Sequence, residues 1–195
     1  EQLGFFAYDG DKDTIGWYDE NGNSAARTLI RTPISGARLS SSFGHRKHPV
    51  SGFNAMHKGV DFAAPTGTPI FAAGNGIVEY AGRNGGYGKY VRIRHDNTYK
   101  TAYAHLNSYK KGIGSGVRVK QGDIIGYVGS TGLATGPHVC FRFWKNGRQV
   151  NHLSLRFPPP DPLPAEALDS FFLVRDLYLE ELGLELPKEE SKTEL

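Results

Sequence analysis

The sequence is poor in sulfur: 195 residues include one cysteine and one methionine. A single Cys excludes an internal disulfide framework, so cysteine usage leaves the redox compartment open. Long hydrophobic runs are also missing, and no stretch approaches the roughly 20 apolar residues of a transmembrane helix. Charge of one sign is scarce. The 23 Lys and Arg against 20 Asp and Glu leave a formal +3, scattered apart from mild runs such as "HRKH" and "YKK". That is too little to argue for nucleic acid, which needs a concentrated basic patch. The opening "EQLGFFAYDG" lacks the basic stretch and apolar run of a signal peptide. The first residue is not Met, and the expectation is a cut or processed chain.

What is present is glycine, 25 residues of it, punctuating short runs rich in β-branched and aromatic side chains. "GIVEYAG" (76–82), "KYVRIRHD" (89–96), "KTAYAHL" (100–106), "DIIGYVGS" (123–130) and "HVCFRFW" (138–144) read as strands separated by turns such as "NGG", "HDN" and "KNG". The expected fold is mainly β, an antiparallel sandwich or barrel-like domain at residues 35–157. Before it, residues 1–34 read as a leading β-hairpin segment with an Asn-Gly turn at Asn21–Gly22. Asp9, Asp11, Asp13 and Glu20 have calcium-loop spacing, but Thr14 stands where that loop needs Gly, and a plain polar turn is the preferred reading. Residues 158–195 hold a proline-rich linker, an amphipathic helix (Leu168, Phe171, Phe172, Tyr178, Leu179, Leu182) with Gly183 as its C-cap, and a charged tail.

Several places offer chemistry. In "MHKGVD", His57 and Asp61 would lie about 13 Å apart on a straight strand, but a bend at Gly59 could bring both to one ion. In "GPHVCFRF", His138 and Cys140 share one strand face while Val139, Phe141 and Phe143 take the other. Imidazole and thiolate both suit zinc, although for that piece alone a satisfied His beside a buried Cys is the preferred reading. His105 ends the aromatic strand in "TAYAHLN" and by itself reads as structural, and "HRKHP" (45–49) reads as a solvated loop placed to meet an anionic or polymeric substrate. His95 and His152 have no partner pattern and read as structural.

Taken together, "SSFGHRKHPVSGFNAMHKGVDFAAPTGTPIFAAGNGIVEYAG", "GGYGKYVRIRHDNTYKTAYAHL", "GDIIGYVGSTGLATGPHVCF" and "NHL" resemble, in family order, the lysostaphin/LytM-type zinc endopeptidases that cut peptidoglycan cross-links. The resemblance runs over residues 35–155. It implies the LytM-type (duplicated hybrid motif) fold, Zn2+ as cofactor, His57 and Asp61 as zinc ligands, and His105 and His138 as catalytic histidines. The family's last motif is H-x-H, and its second His is the third ligand. Here Cys140 occupies that place.

The departure has an electrostatic consequence. With neutral His57, the Asp61 carboxylate and a third His, a zinc site keeps one positive charge. A Cys140 thiolate takes the sum to zero, so bound water is acidified less and a carbonyl polarised less. Metal retention is the favoured reading, because every other site residue is present and Cys is one of the few substitutes able to bind zinc. The resemblance further implies peptidoglycan peptide stems as substrate, a place in the cell envelope (periplasmic), no nucleic acid and no membrane insertion by this chain. The alternative is a degenerate domain that binds cell wall or activates a partner amidase. The glycine-rich "RNGGYG" and "GSTGLATG" are expected to wall a peptide groove, with Tyr87 and Asn54 as candidate lining.

Overall fold

The computed structural model describes residues 5–9, 16–24, 29–47, 54–157 and 162–186. The chain divides into two compact units, one of residues 29–156 and one joining residues 1–28 to 157–195.

In the smaller unit, β1 (Phe6–Tyr8) pairs antiparallel with β2 (Gly16–Tyr18). The Asn21–Gly22 turn does form, but after the second strand rather than between the two. Gly22 N–H bonds Asp19 O, and Tyr18 bridges Ser24. The Asp19 carboxylate braces the turn by accepting from the Asn21 and Asn23 amides. Most of the aspartate-rich stretch weighed as a calcium loop, residues 10–15, lies outside the described residues. The single α-helix of the described residues, which follows the larger unit in chain order, is Ala165–Leu182. Gly183 ends it in the left-handed conformation (φ 62°), its N–H reaching the carbonyls of Glu180 and Leu179 as a C-cap glycine does. Phe171 is fully buried against Phe6 and Leu163, with Tyr8 and Tyr18 edge-on to its ring. Three-residue strands cannot be stable alone, and this aromatic cluster supplies the burial that holds them.

The larger unit contains β3 (Arg38–Ser41), β4 (Gly44–Lys47), β5 (Asn54–His57), β6 (Val60–Ala63), β7 (Pro69–Phe71), β8 (Gly76–Arg83), β9 (Lys89–Arg94), β10 (Tyr99–Leu106), β11 (Ser108–Tyr109), β12 (Arg118–Val119), β13 (Ile124–Tyr127), β14 (His138–Lys145) and β15 (Arg148–Gln149). The main antiparallel sheet runs β12-β8-β9-β10-β14-β6-β3, with β15 on the end of β14. Its path has two free ends, so the sheet is open and does not close into a barrel. A three-stranded sheet, β11-β13-β7, and the ribbon β4-β5 complete the unit. The ribbon corrects the expectation of a loop at "HRKH": Gly44–Lys47 pairs register for register with Asn54–His57.

The centre of the sheet is buried on both faces. On β14, Val139, Phe141 and Phe143 face one core with Tyr103 of β10, whose hydroxyl accepts the Ala73 amide. On the opposite face Cys140 packs with Ala102, Ala104 and Tyr90. Cys140 also lines a groove on this face. No helix of the described residues is long and apolar enough to cross a membrane.

Candidate metal centre

The register of three adjacent strands builds the floor of the groove. Cys140 pairs with Ala104 on one side and with Asp61 on the other, so Asp61 and Cys140 stand side by side on one face. His57 arrives from the ribbon. The chain bends between β5 and β6 at Lys58–Gly59, and the bend replaces a long strand separation with contact: His57 Nε2 lies 3.1 Å from Asp61 Oδ1 and 3.4 Å from Cys140 Sγ. Gly59 is required there, because a Cβ at that position would meet Cys140 Sγ at 2.7 Å and the Phe141 carbonyl at 3.2 Å.

His57, Asp61 and Cys140 thus offer one nitrogen, one oxygen and one sulfur within 4.8 Å of one another. Their fit to a metal can be tested. A tetrahedral ion with bonds of about 2.0–2.3 Å spaces its ligand atoms about 3.3–3.6 Å apart, and the two measured edges fall within a few tenths of an ångström of that. The tautomer fits as well. Ser42 O lies 3.0 Å from His57 Nδ1; a carbonyl only accepts, so Nδ1 carries the hydrogen and Nε2 turns its lone pair toward carboxylate and sulfur. A proton between them, on the imidazole or on the Cys140 thiol, or a bound cation makes that convergence favourable. Burial raises the Asp61 carboxyl, yet with the rings protonated the hydrogen bond and charge of His57 and the charge of His138 outweigh it and hold the group below its usual value.

His105 and His138 complete the site, their ring centroids 4.7 Å apart. His138 shares the β14 face with Cys140, and its Nε2 is 3.9 Å from Asp61 Oδ1. His105 reaches the groove by a different route. Strict alternation on β10 would send it to the Tyr103 side, but the β9–β10 register slips between Tyr103 and Leu106 and His105 takes a positive φ of 64°. Such a bulge re-aims one side chain at a local backbone cost. Both rings are tied alike: His105 Nδ1 donates to Thr131 O at 2.7 Å and His138 Nδ1 to Gly136 O at 2.8 Å. Each therefore presents an unprotonated Nε2 when neutral. Burial lowers the His105 pKa, outweighing the Thr131 hydrogen bond, so the ring is neutral near pH 7.

The groove above these residues encloses about 680 Å3. The two glycine-rich loops wall one side together, with the Leu133 amide bonding Gly86 O at 2.7 Å. Their backbones touch, since a Cβ at Gly132 would lie 2.4 Å from Gly86 O. Tyr87 lines the groove and Asn54 does not. Arg142, passed over in the sequence, also lines it. The residue is 7% exposed and its guanidinium carbon sits 4.5 Å from the Tyr87 ring centroid. The signal was available, because Arg142 follows Cys140 by two and so falls on the same strand face.

Residues 55–152 match the model of Peptidase family M23. The chain belongs to that family. It is 41% identical over 173 residues to the peptidoglycan DD-endopeptidase ShyC of Vibrio cholerae, an alignment covering 88% of this chain and 40% of ShyC. The chain thus spans well under half of that relative's length. Among solved structures, a zinc-containing peptidase from Vibrio cholerae matches with a TM-score of 0.62 at 34% identity, covering 79% of this chain and 47% of that one. The catalytic domain of lysostaphin from Staphylococcus simulans matches with a TM-score of 0.54 at 31% identity, covering 60% of this chain and 90% of that domain. This M23 chain carries Cys140 where the H-x-H motif has its second histidine.

Proposed function

We propose that this M23 chain is a zinc-dependent endopeptidase that hydrolyses the peptide cross-links of bacterial peptidoglycan, acting in the periplasmic part of the cell envelope. The observation that carries the reading is the convergence of His57 Nε2, Asp61 Oδ1 and Cys140 Sγ within 4.8 Å beside two further histidines. Peptidoglycan as substrate is supported by the named activity of ShyC, and zinc by the zinc-containing relative.

In this reading His57, Asp61 and Cys140 hold the ion. Their carboxylate and thiolate bring two negative charges, which a divalent cation neutralises. When bound, zinc supplies Lewis acidity, polarising the scissile carbonyl and acidifying water. The chain's own residues do the rest. His105, neutral and with Nε2 bare, takes the proton from the attacking water. His138, at the other edge of the histidine pair, would stabilise the developing oxyanion by donating from Nε2 when that nitrogen carries a proton, its Nδ1 hydrogen being held by Gly136 O. The packed glycine loops wall one side of the groove beside the reacting bond.

Metal analysis of purified protein and digestion of cross-linked muropeptides test this. One zinc per chain, with cleavage abolished in His105→Ala, is the expected result. Fully zinc-loaded protein that leaves every cross-link intact overturns the enzyme. If that inactive protein still sediments with cell wall, the outcome favours the second reading, a binding domain whose one motivating observation is Cys140 in a histidine's place.

A further inference from the structure

Arg142 is a buried cation without an obvious use. Among the described residues it forms no ion pair with a carboxylate, in a groove where every other charged or titratable side chain except exposed Lys58 and the Tyr87 phenol belongs to the ligand and histidine cluster. Its orientation is fixed. The Tyr87 ring lies against it, and the Gln149 amide oxygen, turned inward, accepts from Nε at 2.9 Å and from Nη2 at 3.2 Å. A guanidinium has five N–H donors in a rigid fork. Gln149 occupies two on one side, which leaves Nη1 and the outer Nη2 hydrogen as a pair able to take a carboxylate in bidentate fashion. Burial makes such a receptor selective, because a desolvated cation gains from an anion and loses with a neutral group.

The position matters as much as the charge. Arg142 follows Cys140 by two residues on β14, a separation of about 7 Å along the strand, well within reach for a long side chain. In the cross-link formed by D-Ala and diaminopimelate, the carbon bonded to the scissile nitrogen carries a carboxylate. That carboxylate is three bonds from the scissile carbonyl carbon, less than about 4 Å. A glycine bridge has only a neutral amide at the same place.

We propose that Arg142 is a specificity-determining residue that binds the free carboxylate on the leaving side of the scissile bond. The inference rests on the peptidase reading of the groove and adds its substrate class: peptides whose leaving residue carries an unblocked carboxylate next to the departing nitrogen. Glycine bridges and cross-links amidated at that carboxyl are disfavoured. Arg142 also returns to the groove one positive charge of the kind that a thiolate at Cys140 removes.

The test uses two synthetic cross-linked stem peptides, identical except that the diaminopimelate carboxyl beside the scissile nitrogen is free in one and amidated in the other. Binding is measured calorimetrically on zinc-loaded protein in a His105→Ala background, and kcat/KM on protein with His105 intact. The free-acid peptide is expected to bind, and to be cleaved, roughly 10- to 100-fold better. Arg142→Gln is expected to bring the two peptides within about threefold, and Arg142→Lys to recover part of the discrimination. Equal handling of both peptides by protein with Arg142 intact overturns the proposal even if no variant folds, as does discrimination that survives in Arg142→Gln. Equal cleavage of both would spare hydrolysis and defeat the receptor. Preferential binding with cleavage of neither would defeat hydrolysis and spare the receptor.

Discussion

Cys140 Sγ and His57 Nε2 are 83 positions apart in the chain and 3.4 Å apart in space. With Asp61 Oδ1 at 3.1 Å from the same nitrogen, the pair defines a site whose third corner is sulfur. Removing that sulfur in Cys140→Ala should cost the bound ion, measured as zinc per chain after dialysis. Cys140→His should keep the ion and give equal or greater hydrolysis, because a neutral ligand returns one positive charge to the site. Cobalt-substituted protein offers an independent readout: thiolate-to-metal charge-transfer absorption is expected with Cys140 and lost in both variants. If Cys140→His loses both zinc and activity, Cys140 is not a ligand.

Gly59 makes a second prediction from sterics alone. Gly59→Ala places a methyl 2.7 Å from Cys140 Sγ and 3.2 Å from both the Phe141 carbonyl and Arg142 Cγ. The sulfur or the bend must move. We expect a loss of about 1–3 kcal/mol, the usual cost of overpacking, together with weaker metal retention. Gly114→Ala, with nothing within 4 Å of the added carbon, is the control and should leave both unchanged. Urea unfolding and competition with a chelator report the two effects separately.

How far the sequence foretold this site depends on which physical term decides each residue. His138, Cys140 and the overlooked Arg142 follow from period-two alternation, which any half-buried strand obeys. The Asp61–Cys140 pairing does not, because register across strands far apart in the chain is set by the whole sheet. His105 defeats alternation outright. Nothing in "TAYAHLN" announces the slip and the positive φ that turn it into the groove, and only resemblance to a family singled it out. "HRKH" reads as a loop because runs of charged residues are typical of solvated turns, yet His45, Arg46 and Lys47 pair with Met56, Ala55 and Asn54 as a strand. The aromatic residues at both chain ends were visible as apolar, but their meeting around Phe171 is tertiary.

The conformation of His105 leads to a third prediction. A non-glycine residue at φ 64° carries a backbone cost of roughly 1 kcal/mol or more, which Asn tolerates better than His. His105→Asn should therefore unfold at the same temperature as the original chain or slightly above it. Loss of the proton acceptor should lower kcat by about 10²–10⁴, with zinc content unchanged. A stability loss of several degrees would mean that the Thr131 hydrogen bond, rather than catalysis, accounts for this residue.

His152 supplies a pH dependence away from the groove. Its ring is 1% exposed, stacked at 19° on Phe143 and edge-on to Phe141, with Nε2 donating to Arg31 O at 2.8 Å. Burial pushes its pKa down from 6.5 to about 4, outweighing the hydrogen bond to Arg31. The unfolded chain therefore takes up a proton as pH falls through 6.5, while the folded chain takes up none until about 4. Between those values the unfolded state binds more protons, so stability falls as pH falls, by about 3 kcal/mol over the full window. Urea unfolding should show about 2 kcal/mol of this between pH 7 and 5. His152→Gln should be less stable at pH 7.5, having lost ring packing, yet show a shallower slope. The slope should not vanish, because burial also lowers the pKa values of His95 and His105. An unchanged slope in His152→Gln would show that this ring does not control acid sensitivity.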